Sequence, residues 1–116
     1  MIRRGQIVVV DFAATDPAAR VRPALIIQND RDNGRMRKTI VAQITSNLKR
    51  AAERTHLLID PGHPDWMVSG LRLPSLVSCS NIATIHQDNV VHALGSLSAP
   101  TMKKIEECLR AALSMP

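Results

Sequence analysis

Apolar residues follow two rhythms along this chain. As far as Leu94 they come in short β-branched runs set between turn residues; from Met102 onward they recur at helical spacing. Gln6-Ile7-Val8-Val9-Val10-Asp11-Phe12 predicts a strand buried on both faces. Residues 13–22 contain Pro17, show no period and predict a loop. Pro23–Gln28 predicts a second strand, with proline tolerated at its first position. Asn29–Gly34 is turn chemistry throughout, sharpest at Asn33-Gly34. Thr39–Ile44 and Thr55–Ile59 predict two more strands, the latter stopped by Asp60-Pro61-Gly62. Leu71–Leu73, Leu76–Cys79, Ile82–Ile85 and Val90–Leu94 are strand-like as well. Met102, Ile105, Leu109, Ala112 and Leu113 then mark one face of a helix, with Ser98 as N-cap and Pro100 in its first turn. The expectation is a mainly β protein with a C-terminal helix, its strands forming a small barrel or a strongly bent sheet.

Composition narrows this to one domain spanning residues 1–116, with 45% apolar content. No apolar run approaches the length of a membrane span, and the first residues lack the apolar core of a signal peptide. Cys79 and Cys108 are far apart in the sequence and form no CxxC pair, which fits buried reduced thiols in a cytoplasmic protein. Fifteen Lys and Arg against ten Asp and Glu give a net charge of +5. Such an excess favours an anionic partner. Much of it falls in predicted loops or strand ends of the first half: Arg20 and Arg22, then Arg31, Arg35, Arg37 and Lys38, then Lys49, Arg50 and Arg54. Phe12 and Trp66 are the only aromatic residues, so a module that stacks several bases on aromatic rings is disfavoured.

The standard catalytic motifs are missing. There is no phosphate-binding glycine loop, no HExxH and no nucleophile elbow, and His56, His63, His86 and His92 are too scattered for a metal site. A polar set at strand ends remains. Arg22 precedes the second predicted strand, and Thr45-Ser46-Asn47 follows the third. If those strands are antiparallel neighbours, Arg22 and Thr45 meet at one edge of the sheet. A guanidinium fork beside a hydroxyl suits a phosphodiester. The same spacing equally suits an arginine that caps a loop carbonyl and a threonine that closes a turn.

Several of these segments together resemble a known family. Arg22-Pro23-Ala24-Leu25-Ile26-Ile27 resembles the Arg-Pro-Ala-hydrophobic motif of MazF/PemK toxins, and Ile44-Thr45-Ser46-Asn47 resembles their Thr-Ser motif. Gly5–Phe12 is similar to the family's opening strand, and Ser75–Ile85 and Leu94–Leu97 to its later strands. The resemblance implies an SH3-like small barrel of the CcdB/MazF type, a homodimer, and cleavage of single-stranded RNA (mRNA) at short preferred sequences, with neither metal nor cofactor. It also implies an acidic cognate antitoxin, MazE-like, that occupies the RNA groove. Arg22 and Thr45 match the family's catalytic pair. Lys49, Arg50 and Arg54 are placed to track the RNA backbone or to form a solvated loop. Arg20, Gln28, Ser46, Asn47 and His56 complete the candidate RNA-contacting set.

Two departures concern proton transfer. Many relatives carry a glutamate before the Arg-Pro pair, where this chain offers only Asp16, either a base or a turn former. Some relatives place an arginine and an acid in the strand corresponding to residues 77–82, where this chain has Ser78 and Ser80. His56 is either an acid–base group or a structural strand-edge histidine, and Trp66 either stacks on a base or packs in the core. Two other uses of the same barrel compete: a CcdB-like inhibitor of DNA gyrase and a plain RNA-binding module. The first relies on an aromatic-bearing C-terminus, whereas this chain ends Ala111-Ala112-Leu113-Ser114-Met115-Pro116.

Overall fold

In the computed structural model, residues 2–13 and 20–116 are described. The strands are β1 (Gln6–Asp11), β2 (Val21–Ile26), β3 (Lys38–Thr45), β4 (His56–Ile59), β5 (Ser75–His86) and β6 (Val90–Ser96). They form one antiparallel sheet in the order β4-β5-β3-β2-β1-β6. The described residues also form helices α1 (Asp30–Arg35), α2 (Trp66–Ser69) and α3 (Ala99–Leu113) and a 3-10 turn at Gln87–Asn89. Among the described residues, no helix is long and apolar enough to cross a membrane.

Both faces of the sheet are apolar over much of their extent. One face carries Ile7, Leu25, Ala42, Ile44, Ile59, Val77 and Cys79, and α3 lays Met102, Ile105 and Cys108 on it. The other face closes over a smaller cluster of Val8, Val10, Phe12, Ala24, Ile26, Val41 and Ile85. Ile7 and Val8 lie in different clusters, as the β-branched run at the start of the chain predicts for a strand covered on both sides. The two cysteines are free and buried.

Some elements differ from expectation. Residues 29–34, read as a turn, form helix α1 and its cap. Asn29 accepts the Asp32 backbone N–H on its side chain (2.8 Å), Asp30 and Asp32 occupy the first turn, and Arg35 the last. Strand β2 begins two residues earlier than expected because Arg22 and Val21 pair with Val10 and Asp11 of β1. It also stops earlier, where Ile27 and Gln28 both turn their N–H groups toward the Ile40 carbonyl. The predicted strands 76–79 and 82–85 are one strand, β5, broken by a slip in register. Ala42 pairs with Ile82 but Gln43 with Ser78, so Cys79, Ser80 and Asn81 bulge out of the ladder. Leu71–Leu73 is irregular, not extended, and the short α2 precedes it. Ser98 holds the N-cap position of α3 as expected, but its hydroxyl does not cap. Both its hydroxyl and its N–H donate to Asp65 Oδ2 (2.9 and 2.8 Å). The buried face of α3 is Thr101, Met102, Ile105 and Cys108, whereas Leu113 is exposed.

Backbone is pressed against backbone where α2 meets β6. Gly70 ends α2 in the left-handed region (φ 71°), and a Cβ there would collide with the Leu94 carbonyl. A Cβ on Gly95 would collide with the carbonyls of Val68 and Ser69.

Candidate active site

Alternation along the strands fixes what this site contains. Side chains of one strand parity share a face, and the smaller cluster's face carries Ala24 on β2 and Val41 on β3. Continuing each strand by two-residue steps gives Arg22 on β2 and Gln43 and Thr45 on β3. The ladders then place Ser78 of β5 opposite Gln43, and His56 of β4 opposite Ser78. A polar row therefore crosses β2, β3, β5 and β4 where the apolar cluster gives out.

Ala24 faces Gln43 across the β2–β3 pair, and the same register carried two residues further sets Arg22 opposite Thr45. The juxtaposition expected from strand order is present. Arg22 and Thr45 both line two adjoining cavities, and Ile44 is shared between them as well. The larger, about 500 Å³, is polar and lined by Gln43, Asn47, Lys49, Arg50, His56, Ser78, Ser80 and Asn81 beside the shared residues. The smaller, about 280 Å³, is mostly apolar and adds Pro23, Leu71, Leu73 and Leu94, with Arg72, Ser46 and Ser75 as its polar contributors. Four basic side chains, Arg22, Lys49, Arg50 and Arg72, border the two cavities, and among the described residues no Asp or Glu lines them. Such a concentration of positive charge favours an anion.

Local hydrogen bonds orient the pieces. The Asn47 backbone N–H donates to Thr45 Oγ1 (3.1 Å), and Asn47 Oδ1 accepts the Lys49 N–H (3.0 Å). The Thr45 hydroxyl thus accepts from the chain and keeps its own proton for an acceptor in the cavity. His56 is buried, its Nδ1 2.7 Å from the Thr55 hydroxyl and its Nε2 3.1 Å from the Ser78 hydroxyl. Arg50 also approaches Glu53 (3.6 Å) at the surface. Among the described residues, no three His, Cys, Asp or Glu side chains gather as metal ligands.

Of the candidates read from the sequence, Arg22, Thr45, Ser46, Asn47, Lys49, Arg50 and His56 line the two cavities. Three do not. Gln28 is buried beyond the far end of β2, its amide donating to Asn33 Oδ1 and the Lys38 carbonyl (3.0 Å each). Its side chain is consumed inside the protein. Arg54 borders a different hollow, with Glu107, Arg110 and the C-terminal residues. Arg20 is exposed and lines neither cavity. Asp16 lies outside the described residues. Trp66 is partly buried and packs against the larger core cluster. Gln43, Arg72, Ser80 and Asn81 are lining residues that sequence reasoning missed. Gln43 was within reach, standing two residues before Thr45 and so on the same face, whereas Ser80 and Asn81 depend on the bulge.

A sheet with a cationic, two-part groove at one edge suits an anionic polymer, and comparison with known proteins gives the family. A family model described as PemK-like, MazF-like toxin of type II toxin-antitoxin system matches residues 3–113, and the chain belongs to that family. It is 28% identical over 117 residues to Endoribonuclease EndoA of Bacillus subtilis (strain 168), covering 99% of this chain and 97% of that protein. Among solved structures it resembles an endoribonuclease in complex with its cognate antitoxin from a mycobacterial species. There the TM-score is 0.79 at 26% identity, covering 100% of this chain and 98% of the other. The Mycobacterium tuberculosis toxin MazF-mt6 shares the fold with a TM-score of 0.79 at 24% identity, covering 96% and 98% of the two chains.

Proposed function

We propose that this chain, a MazF-like endoribonuclease toxin of a type II toxin–antitoxin system, cuts single-stranded RNA by attack of the 2′-hydroxyl on the adjacent phosphate. The observation that carries this reading is the position of Arg22 opposite Thr45 between two cavities bordered by basic groups. RNA supplies its own nucleophile, so proximity is built into the substrate and no metal-bound water is required. The 2′-oxygen forms a bond to phosphorus as the bond to the 5′-oxygen breaks. The proton lost from the 2′-hydroxyl and the proton gained by the leaving 5′-oxygen balance the step.

Arg22 stabilises the charge on the crowded phosphorus, a contribution of the kind whose removal costs about a hundredfold or more in rate. It is not the base, being protonated at any working pH. Thr45 donates to a non-bridging phosphate oxygen. Proton transfer falls to His56, in contact with the Ser78 hydroxyl at the wall of the polar cavity, or to Asp16, six residues before Arg22. Lys49 and Arg50 draw the flanking phosphates along the polar cavity. The complex solved for the mycobacterial endoribonuclease supports a cognate antitoxin as partner here too, with an acidic segment matching the same basic groove. Pairing of two copies belongs to this reading as well: Leu113 and Met115, at the end of α3, are more than half exposed.

The test is cleavage of a long single-stranded RNA by the purified protein in EDTA, with both ends of each cut mapped. Cuts bearing 2′,3′-cyclic phosphate and 5′-hydroxyl ends, lost in Arg22→Ala and sharply slowed in Thr45→Val, support the reading. Intact RNA across a range of salt concentrations would overturn it. Asp16→Asn and His56→Gln, run alongside, assign the proton-transfer group.

A further inference from the structure

Nothing in the reaction itself requires two cavities of opposite character beside one phosphate site. Resting on the proposed RNA cleavage, we infer that the β5 bulge is the base reader of this enzyme. Asn81 and Ser80, with Gln43, set the identity of one nucleotide next to the cut by hydrogen bonds to its base edge.

Position is the first support. A ladder holds its side chains at fixed alternation, and a polar residue in the middle of a strand faces either a neighbour or the core. The slip between Ala42/Ile82 and Gln43/Ser78 frees residues 79–81 from that constraint. Ser80 and Asn81 emerge exposed at the wall of the polar cavity. Bulges re-aim side chains in this manner next to active sites. Cys79 anchors the excursion, its thiol buried and its N–H donating to the Thr55 carbonyl (3.0 Å), so the two residues beyond it start from a fixed point.

Chemistry is the second support. The cations of the polar cavity, Arg22, Lys49 and Arg50, are matched to phosphates, which carry no sequence information. Gln43 and Asn81 are carboxamides and Ser80 a hydroxyl, each offering donor and acceptor together. That is what an unstacked base edge demands. Across the ridge, the smaller cavity offers chiefly Pro23, Leu71, Leu73 and Leu94. Its own polar contributors are Ser46, Arg72 and Ser75, with no carboxamide among them, so it selects chiefly by shape. The carboxamides that offer donor and acceptor together, Gln43 and Asn81, lie on one side of the scissile phosphate.

The measurement is the cut-site preference, obtained by sequencing all ends produced from a pool of randomised single-stranded RNA. Asn81→Ala is expected to relax the preference at a single position adjoining the cut, and to slow cutting of the parent's best site by about ten- to a hundredfold. Gln43→Ala should relax the same position. Leu73→Ala, in the apolar cavity, should leave that position's preference intact. An unchanged preference in the Ser80→Ala/Asn81→Ala double variant, or an equal loosening at every position, would overturn the inference. So would a parent enzyme with no base preference beside the cut. Failure of the parent to cut RNA, or cutting that survives Arg22→Ala, would strike the catalytic reading instead, and the two failures are distinguishable.

Discussion

Strands β2 and β3 carry polar side chains toward both ends, and the two ends behave in opposite ways. Toward the end at Gln28, the amides of Gln28 and Asn33 and the Thr39 hydroxyl turn inward. Asn33 Oδ1 accepts from Gln28 Nε2 (3.0 Å) and from the Thr39 hydroxyl (2.7 Å), and its amide donates to the Gln28 carbonyl (3.0 Å). Gln87 reaches over from beyond β5 to donate to the Asn33 and Met36 carbonyls (2.9 Å each). At the other end, Arg22 is exposed, and the Thr45 hydroxyl accepts from the chain while its proton is left over for a ligand. The first end spends its hydrogen bonds on holding α1 to the sheet; the second reserves them for something outside. Residue type alone does not separate binding from structure here. The partner does.

That contrast can be tested by breaking each end in turn. The largest effect is expected at the open end. Arg22→Ala should lower RNA cleavage by about a hundredfold or more while moving stability by no more than about 0.5 kcal/mol, because the side chain is exposed. Cleavage rates paired with urea unfolding check both halves. Next comes the closed end. Asn33→Ala strands the Thr39 hydroxyl and one acceptor-seeking proton of Gln28, and should cost about 2 kcal/mol in urea unfolding while sparing the rate per folded molecule.

The smallest effect concerns a second closed polar group, Asp65, which ties the loop before α2 to the start of α3. Burial pushes its carboxyl up, but the Ser98 backbone N–H and the Thr101 and Ser98 hydroxyls together hold it below the usual carboxylate value. A depressed native value means that the unfolded chain binds the proton more readily. The stabilisation is therefore full above the ordinary value of 3.8 and is lost as pH falls through the native one. Asp65→Asn should flatten that acid limb of a stability–pH curve and leave neutral-pH cutting preferences unchanged.

Much of this was legible in the sequence, and the reasons are physical. The β-branched runs, the closing helical face and the meeting of Arg22 with Thr45 follow from short-range periodicity and one antiparallel pairing. Gln28 misled because a polar residue at a strand end looks the same whether it faces solvent or Asn33. Residues 29–34 misled because Asn, Asp and Gly serve turns and short capped helices alike. Ser80 and Asn81 were out of reach, since a register slip is decided by how two distant strands fit. Arg54 was assigned by its nearness in sequence to Lys49 and Arg50, but the intervening turns carry it to the far side of the loop, beside α3.

The contact of Gly70 and Gly95 with the facing main chain has a consequence for how such an enzyme can diversify. Gly70 lines the apolar cavity and Gly95 lies next to its Leu94, and at these two positions only one letter of the amino-acid alphabet is permitted. New cutting preferences have to be written elsewhere, in side chains that move without disturbing the mould. A library that randomises positions 43, 73, 80 and 81 while keeping both glycines would sample new specificities without loss of the scaffold. One that spares those four and varies the glycines would return mainly unfolded protein.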